Sequence, residues 1–503
     1  MPDWGREVER STVGGHPCLV YTRRPRSLAE LLLERRRWPD RELLVQGGRR
    51  MTGTELERLV ARTASGLKGR GVGPGDRVLL LGFNSVEWVV AFWALQCLGA
   101  VAALGNAWWS DAEVAAAVAQ VEPVLAITDR PVDGAVPFAE LGGPDAPLDL
   151  HPVAEDDIAL IMFSSGTTGA AKGVLMSHRS VVANIHNLLV LTGRLPDELP
   201  ESHPGTVSML SVPLFHLAGI QTSITTLLSG GRLVFLEGKF DPGEVLRLIE
   251  AERVRVWGSI PTMVSRVLEH PDFAAFDTSS VSSVPMGGSA ISPELRARVA
   301  ASFTGVKARV GSLYGLTEAG GVLAAGSGAD ITSRPGAVGR ALPVVELAIR
   351  DGGEIAARTP TMTGGYLGDP APIADADGWV LTGDLGRIDE DGWLYVTGRS
   401  KDVIIRGGEN IAAAHVEQAL LTHPDVVEVA VVALPHADLG EEVAAAVVLR
   451  GPADADALRA HAAGSLGRHE VPTRWWFHPG PLPTNPSGKI VRRQVREEWP
   501  ANG

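Results

Sequence analysis

The sequence has almost no sulfur chemistry to offer. Only Cys18 and Cys97 are cysteine among 503 residues, and neither sits in a CxxC pair. A disulfide scaffold and a cysteine-rich zinc centre are therefore excluded, and both thiols read as buried and structural. Excess positive charge is missing too: 46 Lys and Arg stand against 59 Asp and Glu, a formal charge of −13. Without a basic field, the chain has no general attraction for nucleic acid or an anionic membrane, although a local phosphate pocket needs only a few donors. No run reaches the ~18–20 apolar residues of a membrane helix. Met1–Arg26 lacks the apolar core of a signal peptide, and the 13 histidines show no metal-ligand spacing. What is present is 45% hydrophobic and 21% charged residues. Those proportions predict a soluble, cytoplasmic, globular protein, long enough for more than one domain.

Short apolar runs alternate with amphipathic ones. Arg77–Phe83, Ile158–Phe163, Val207–Val212 and Arg232–Leu236 read as buried strands; Leu56–Leu67, Val86–Leu98, Asp111–Val121 and Pro242–Glu252 read as helices. This alternation predicts layered α/β subdomains with largely parallel sheets. The Gly/Pro/Asp-rich stretch Asp330–Asp377 predicts turns and short strands in a β-rich segment. Near Gly398 a second pattern begins: helix Ala413–Leu421, strands Val426–Ala433 and Glu442–Leu449, helix Ala455–Leu466 and strand Arg474–His478. That is enough for a small α+β C-terminal domain. The division expected is 1–397 and 398–503, with Gly398–Asp402 as a turn or a hinge.

After the strand Ile158–Phe163 comes Ser164-Ser165-Gly166-Thr167-Thr168-Gly169-Ala170-Ala171-Lys172-Gly173. Three glycines allow close backbone approach, four hydroxyls add donors, and backbone N–H groups in such turns cradle anions. Lys172 adds a mobile charge for terminal phosphates. The string is not a Walker A loop, because Gly173 follows Lys172. It resembles the phosphate-binding signature of the adenylate-forming superfamily: acyl-CoA synthetases, adenylation domains of peptide synthetases, and firefly luciferase. Ala171 stands where that signature usually carries Pro.

Further motifs follow in the family's order. Pro213-Leu214-Phe215-His216 resembles its acyl-pocket motif, and Met286-Gly287-Gly288-Ser289-Ala290 the segment along adenine and acyl chain. Ser312-Leu313-Tyr314-Gly315-Leu316-Thr317-Glu318 resembles YGxTE; Thr382-Gly383-Asp384, Gly398-Arg399 and Pro486-Ser487-Gly488-Lys489 resemble the TGD, hinge and C-terminal lysine motifs. The resemblance covers essentially the whole chain, closest to fatty-acid or aryl acyl-CoA ligases. It implies ATP, Mg²⁺ and CoA, with a small-molecule carboxylic acid as substrate and a mobile C-terminal lid. ATP and its AMP product would be held by Ser164–Gly169, Lys172, Gly287–Ser289, Tyr314, Gly315, Thr317, Asp384, Arg399 and Lys489. Tyr314 offers a face for adenine, Asp384 accepts from ribose hydroxyls, and Glu318 with Thr167 would hold Mg²⁺, a cation that prefers oxygen. The catalytic set implied is Lys489, Glu318, Thr167 and His216, with Lys489 bridging α-phosphate and carboxylate.

For the second half-reaction the resemblance implies a swing about Lys401 and a pantetheine tunnel lined by Gly407, Gly408 and Asn410. Here the chain departs: Ala412-Ala413-Ala414-His415 stands where the family often has an aromatic, Pro, Ala and Glu. The acid would lie against His216, Ala218, Gly219, Gly288, Gly315 and Gly320. The segments His216–Thr222, Gly258–Met263, Gly287–Ala290 and Leu313–Val322 hold no Asp for an α-ammonium and no Arg or Lys for a second carboxylate. A fatty or arylalkanoic acid is expected, with free CoA as acceptor. The alternatives are transfer to an acyl carrier protein or another nucleophile, or an inactive binding relative. Oligomeric state is left open.

Overall fold

The computed structural model describes residues 2–164, 172–287, 291, 293–306, 311–326, 328–407, 409–485 and 490–500, with backbone alone at 293, 294, 401 and 410. Two parallel-rich sheets build the first part of the chain. One runs Lys172–Ser177, Ile158–Ser164, Val101–Gly105, Arg77–Leu81, Leu125–Thr128, Val136–Pro137, parallel except for its first pair. The other runs Val256–Gly258, Val207–Leu210, Arg232–Phe235, Glu42–Gln46, Arg49–Thr52, parallel except for its last pair. The helix Val86–Leu98 is apolar on nearly every side and is buried in the largest core cluster, as such a helix must be. The Ser85 side chain accepts from the Trp88 N–H at its start, and Gly99 (φ 68°) ends it in the left-handed region. Cys97 lies within this helix. Burial pushes its thiol up to about 12, and burial first, then Glu346, pushes Cys18 up to about 11.

The β-rich segment is antiparallel, unlike the first two sheets. Eight strands run Met286–Gly287, Ser312–Leu316, Gly321–Gly326, Ala337–Ala341, Trp393–Arg399, Val380–Ile388, Glu354–Arg358, Glu346–Ile349, and only the first pair is parallel. A small C-terminal unit has its own sheet: Glu409–Ala412, Val403–Arg406, Gly440–Leu449 and Val426–His436, with Arg474–Phe477 beside Gly440–Leu449. Helices Ala413–Leu421 and Ala455–Ala463 close a separate apolar core over it. Among the described residues, no helix is long and apolar enough to cross a membrane.

Candidate active site

Strand register builds the first half of the site. In the hairpin Val380–Ile388/Trp393–Arg399, Asp384 pairs directly with Arg399, and Tyr314 comes in from Ser312–Leu316. Tyr314 Oη donates to Asp384 Oδ2 at 2.9 Å, and Arg399 Nε donates to Asp384 Oδ1 at 2.9 Å. The carboxylate is buried, whereas the Arg399 side chain is 55% exposed. Burial, followed by the Asp384 charge, pushes the Tyr314 phenol far above its usual range, so it stays a donor. Each carboxylate oxygen keeps a free lone pair after these bonds. The turn that presents Asp384 is fixed by Thr382, which accepts from the Asp384 N–H at 3.2 Å and donates to the Ile355 carbonyl at 2.9 Å.

The second half assembles around Glu318, in the turn Thr317–Ala319. Thr363 Oγ1 donates to the Glu318 carbonyl at 2.9 Å and Thr361 Oγ1 to the Ala319 carbonyl at 2.6 Å. Segment 364–367 zips onto the strand Lys172–Ser177: Gly364 N–H to Leu175 O at 2.8 Å, Leu175 N–H to Gly365 O at 2.9 Å, Leu367 N–H to Gly173 O at 2.7 Å. Tyr366 is thereby placed with its hydroxyl 3.4 Å from Glu318 Oε1 and its ring 5.0 Å below Lys172 Nζ. Sequence reasoning missed Tyr366. Its only signal was an aromatic beside two glycines, Gly364 and Gly365, in a segment read as turns and short strands.

His216 sits at the N-terminus of helix Leu217–Leu228, its ring 4.8 Å from that of Phe215, and borders the same cleft as Glu318 and Asp384. The turn before it is splinted by Asn84, also unforeseen: Asn84 Nδ2 donates to Val212 O at 2.9 Å, and Asn84 Oδ1 accepts from Leu214 N–H at 2.7 Å. Ser164, Gly287, Gly315, Thr317 and Ala218 border the cleft as well. Gly219 and Gly320 acquire a packing reason instead. A Cβ on Gly219 would strike the Pro213 carbonyl, and one on Gly320 (φ +73°) the Thr361 carbonyl. The cleft also receives a cation from outside the segments expected to line it: Arg194, just past helix His178–Thr192.

Ser165, Gly166, Thr167, Thr168, Gly169, Gly288, Ser289, Gly408 and Lys489 lie outside the described residues. Lys401 falls in the turn Ser400–Asp402 and Asn410 in the strand Glu409–Ala412. Gly407 takes φ +59° and donates its N–H to Leu439 O at 2.8 Å. The joint is tied on both sides: Ser400 Oγ donates to Gly383 O at 3.1 Å, and Asp402 Oδ2 accepts from Arg492 Nη1 at 3.0 Å. Arg492 also grips Glu417 with bonds of 2.9 and 2.6 Å. In the divergent segment, His415 Nε2 lies 3.9 Å from Glu470 Oε1, and Ala412 packs against Gly398. No group of three or more His, Cys, Asp or Glu among the described residues is placed to hold a metal by itself.

Residues 33–367 match the family model described as AMP-binding enzyme, and residues 415–489 match that of the AMP-binding enzyme C-terminal domain. The chain is 35% identical to a feruloyl-CoA synthase from Amycolatopsis sp over 90% of its own length and 95% of the relative's. Its fold is similar to ATP-bound MatB from Rhodopseudomonas palustris (TM-score 0.83, 28% identity, 94% of this chain and 99% of that one). It is also similar to o-succinylbenzoate CoA synthetase MenE from Bacillus subtilis in complex with its acyl-adenylate intermediate OSB-AMP (TM-score 0.81, 26% identity, 93% and 97%).

Proposed function

We propose, from the premise that this chain belongs to the AMP-binding enzyme family, that it is an AMP-forming acid–CoA ligase acting on a fatty or aryl acid. The observation that carries this reading is a convergence in one cleft. Tyr314 and Arg399 both bond Asp384, while Lys172 and Glu318 flank Tyr366. A nucleoside triphosphate is matched by such a pair of sites. Asp384 accepts from ribose hydroxyls, Tyr314 presents a ring held by its own hydroxyl, and Lys172 supplies charge for phosphate oxygens.

The residues fit Mg²⁺. Glu318 is a hard oxygen donor whose carboxylate, among the described residues, accepts one long hydrogen bond, from Tyr366, and the phosphates would complete the coordination. The ion would neutralise charge on the β- and γ-oxygens. In the first half-reaction a substrate carboxylate oxygen forms a bond to the α-phosphorus; the bond from that phosphorus to the bridging oxygen breaks, and pyrophosphate leaves with the electron pair. We assign to Lys489 the stabilisation of charge between carboxylate and α-phosphate. In the second, the CoA sulfur, having given up its proton, bonds to the acyl carbon, the acyl C–O bond breaks and AMP leaves. We assign residues 1–397 to the adenylation domain and 398–503 to a lid that turns near Lys401, with Gly407, Gly408 and Asn410 beside the pantetheine.

Exchange of labelled pyrophosphate into ATP over a panel of acids tests the first half; AMP and thioester formation on adding CoA tests the second. Exchange with no acid would overturn the proposal. Exchange without thioester would move it to a second reading, transfer to a carrier protein or another nucleophile. The altered Ala412–His415 segment favours that reading over any other alternative.

A further inference from the structure

One face of helix Leu217–Leu228 is left uncovered along the cleft. Ala218, Thr222 and Thr225 recur at helical spacing and border the cavity, and none is fully buried. Leu188, Leu191 and Thr192 of helix His178–Thr192 border the same cavity. The helix face leads away from His216 toward the N-terminal ends of the parallel strands, where Ser208, Val256 and Ser282 border the same cavity. From Ala218 to Thr225 it extends about 10 Å at 1.5 Å per residue. The walls mix apolar groups (Leu188, Leu191, Leu217, Val256) with hydroxyls (Thr192, Ser208, Thr222, Thr225), which suits an alkyl or aryl body that carries a polar group at its far end.

Arg194 stands at that end. It is half-buried, borders the cavity, and among the described residues no carboxylate forms an ion pair with it. Burial and then Arg255 hold its guanidinium below the usual range, and Arg194 together with Arg41 depresses His203 in turn, after burial. In a chain with thirteen more acidic than basic residues, a half-buried cation that has no carboxylate paired with it among the described residues is costly to keep.

We propose that this channel is the acyl subsite and that Arg194 receives a second carboxylate, carried at the far end of an elongated alkyl or aryl acid. The proposal rests on the adenylation reading above and names its substrate class. An acid that reaches Arg194 along this face must therefore be long, with a body comparable to the roughly 10 Å from Ala218 to Thr225. The guanidinium fork would bind the distal carboxylate in two parallel hydrogen bonds, while the other carboxylate stays at the α-phosphate.

The test uses the full-length enzyme and matched probes: α,ω-dicarboxylic acids of graded length, each beside its monomethyl ester, in pyrophosphate exchange. The ratio of kcat/KM for diacid over ester is taken within each protein, so that a folding defect cancels. The wild type is expected to favour the diacid about tenfold or more at the matching length, the size of one charge-assisted contact. Arg194→Gln should abolish that preference, and Arg194→Lys should retain part of it. A wild type indifferent to the distal carboxylate, or Arg194→Gln retaining the full ratio, overturns the proposal. If no acid supports exchange, the adenylation reading fails instead, and calorimetric binding of the same pairs to wild type and Arg194→Gln still decides the role of Arg194.

Discussion

Tyr366 stands between Lys172 and Glu318, its ring 5.0 Å from the ammonium and its hydroxyl 3.4 Å from the carboxylate. The two charged residues come from distant segments, and the strand pairing of 364–367 with Lys172–Ser177 brings them to one aromatic side chain. Burial, followed by the Glu318 charge, raises the phenol above its usual value, so it remains a donor to the carboxylate. Tyr366 is thus a positioning residue for both groups.

Tyr366→Phe should reduce kcat/KM for pyrophosphate exchange about 3- to 10-fold, the worth of one modest hydrogen bond. The loss should be concentrated in the Mg²⁺ dependence, because the hydroxyl touches Glu318 and not Lys172. Tyr366→Leu, which also removes the cation–π contact, should add a further loss of about 2- to 5-fold in the KM for ATP. An Mg²⁺ titration at fixed ATP, compared for both variants, separates the two. An unchanged Mg²⁺ response in Tyr366→Phe would show that the hydroxyl does not position Glu318.

Lys489→Ala should lower the adenylation rate about 10²–10³-fold, the usual cost of removing one preorganised electrostatic contact. Thioester formation from a supplied acyl-adenylate should fall far less. Wild-type exchange in this variant would refute the role given to Lys489.

Two glycines in the site should respond differently to alanine. A Cβ added at Gly383 (φ +74°) would meet no atom within 4 Å, so Gly383→Ala carries only the left-handed strain, about 1–2 kcal/mol. Gly320 (φ +73°) adds a collision with the Thr361 carbonyl to the same strain, for a total of about 2–5 kcal/mol. Urea unfolding of both variants checks the order; equal losses would contradict it.

Acid should loosen the packing around two buried histidines. Burial holds His178 and His186 down to about 4; the Leu28 N–H donates to His178 Nδ1 at 3.2 Å, and the His186 ring stacks on Tyr21 at 3.7 Å. Both folded-state values lie below the unfolded value near 6.5, so the unfolded chain binds more protons between them. Stability from these groups is complete above about pH 6.5 and is lost as pH falls toward 4, by roughly 1.4 kcal/mol per unit for each histidine. Urea midpoints from pH 7 to 4.5 should fall, and His186→Gln should flatten the slope. A slope identical to wild type would rule His186 out.

Much of the fold and chemistry was legible locally. Val86–Leu98, Asp111–Val121, Pro242–Glu252 and Ala413–Leu421 are helices at the expected boundaries, because periodicity and capping residues are properties of short windows. The family was legible in ordered motifs, since phosphate cradling and Mg²⁺ binding demand particular residue types at fixed spacing. Residues acting across long sequence separations were not legible. Tyr366, Asn84 and Arg194 carry no local signature: a strand pairing sets Tyr366 beside Glu318, Asn84 bonds Val212 and Leu214 far along the chain, and the end of a helix sets Arg194 at the cleft. The small residues show the same division. Gly219 and Gly320 read as space for a substrate, yet their bare faces meet the carbonyls of Pro213 and Thr361. Composition and motif spacing determined what kind of chemistry the chain performs. Only tertiary packing decided which side chains line the cleft, because burial and carbonyl positions are set by segments far apart in the chain.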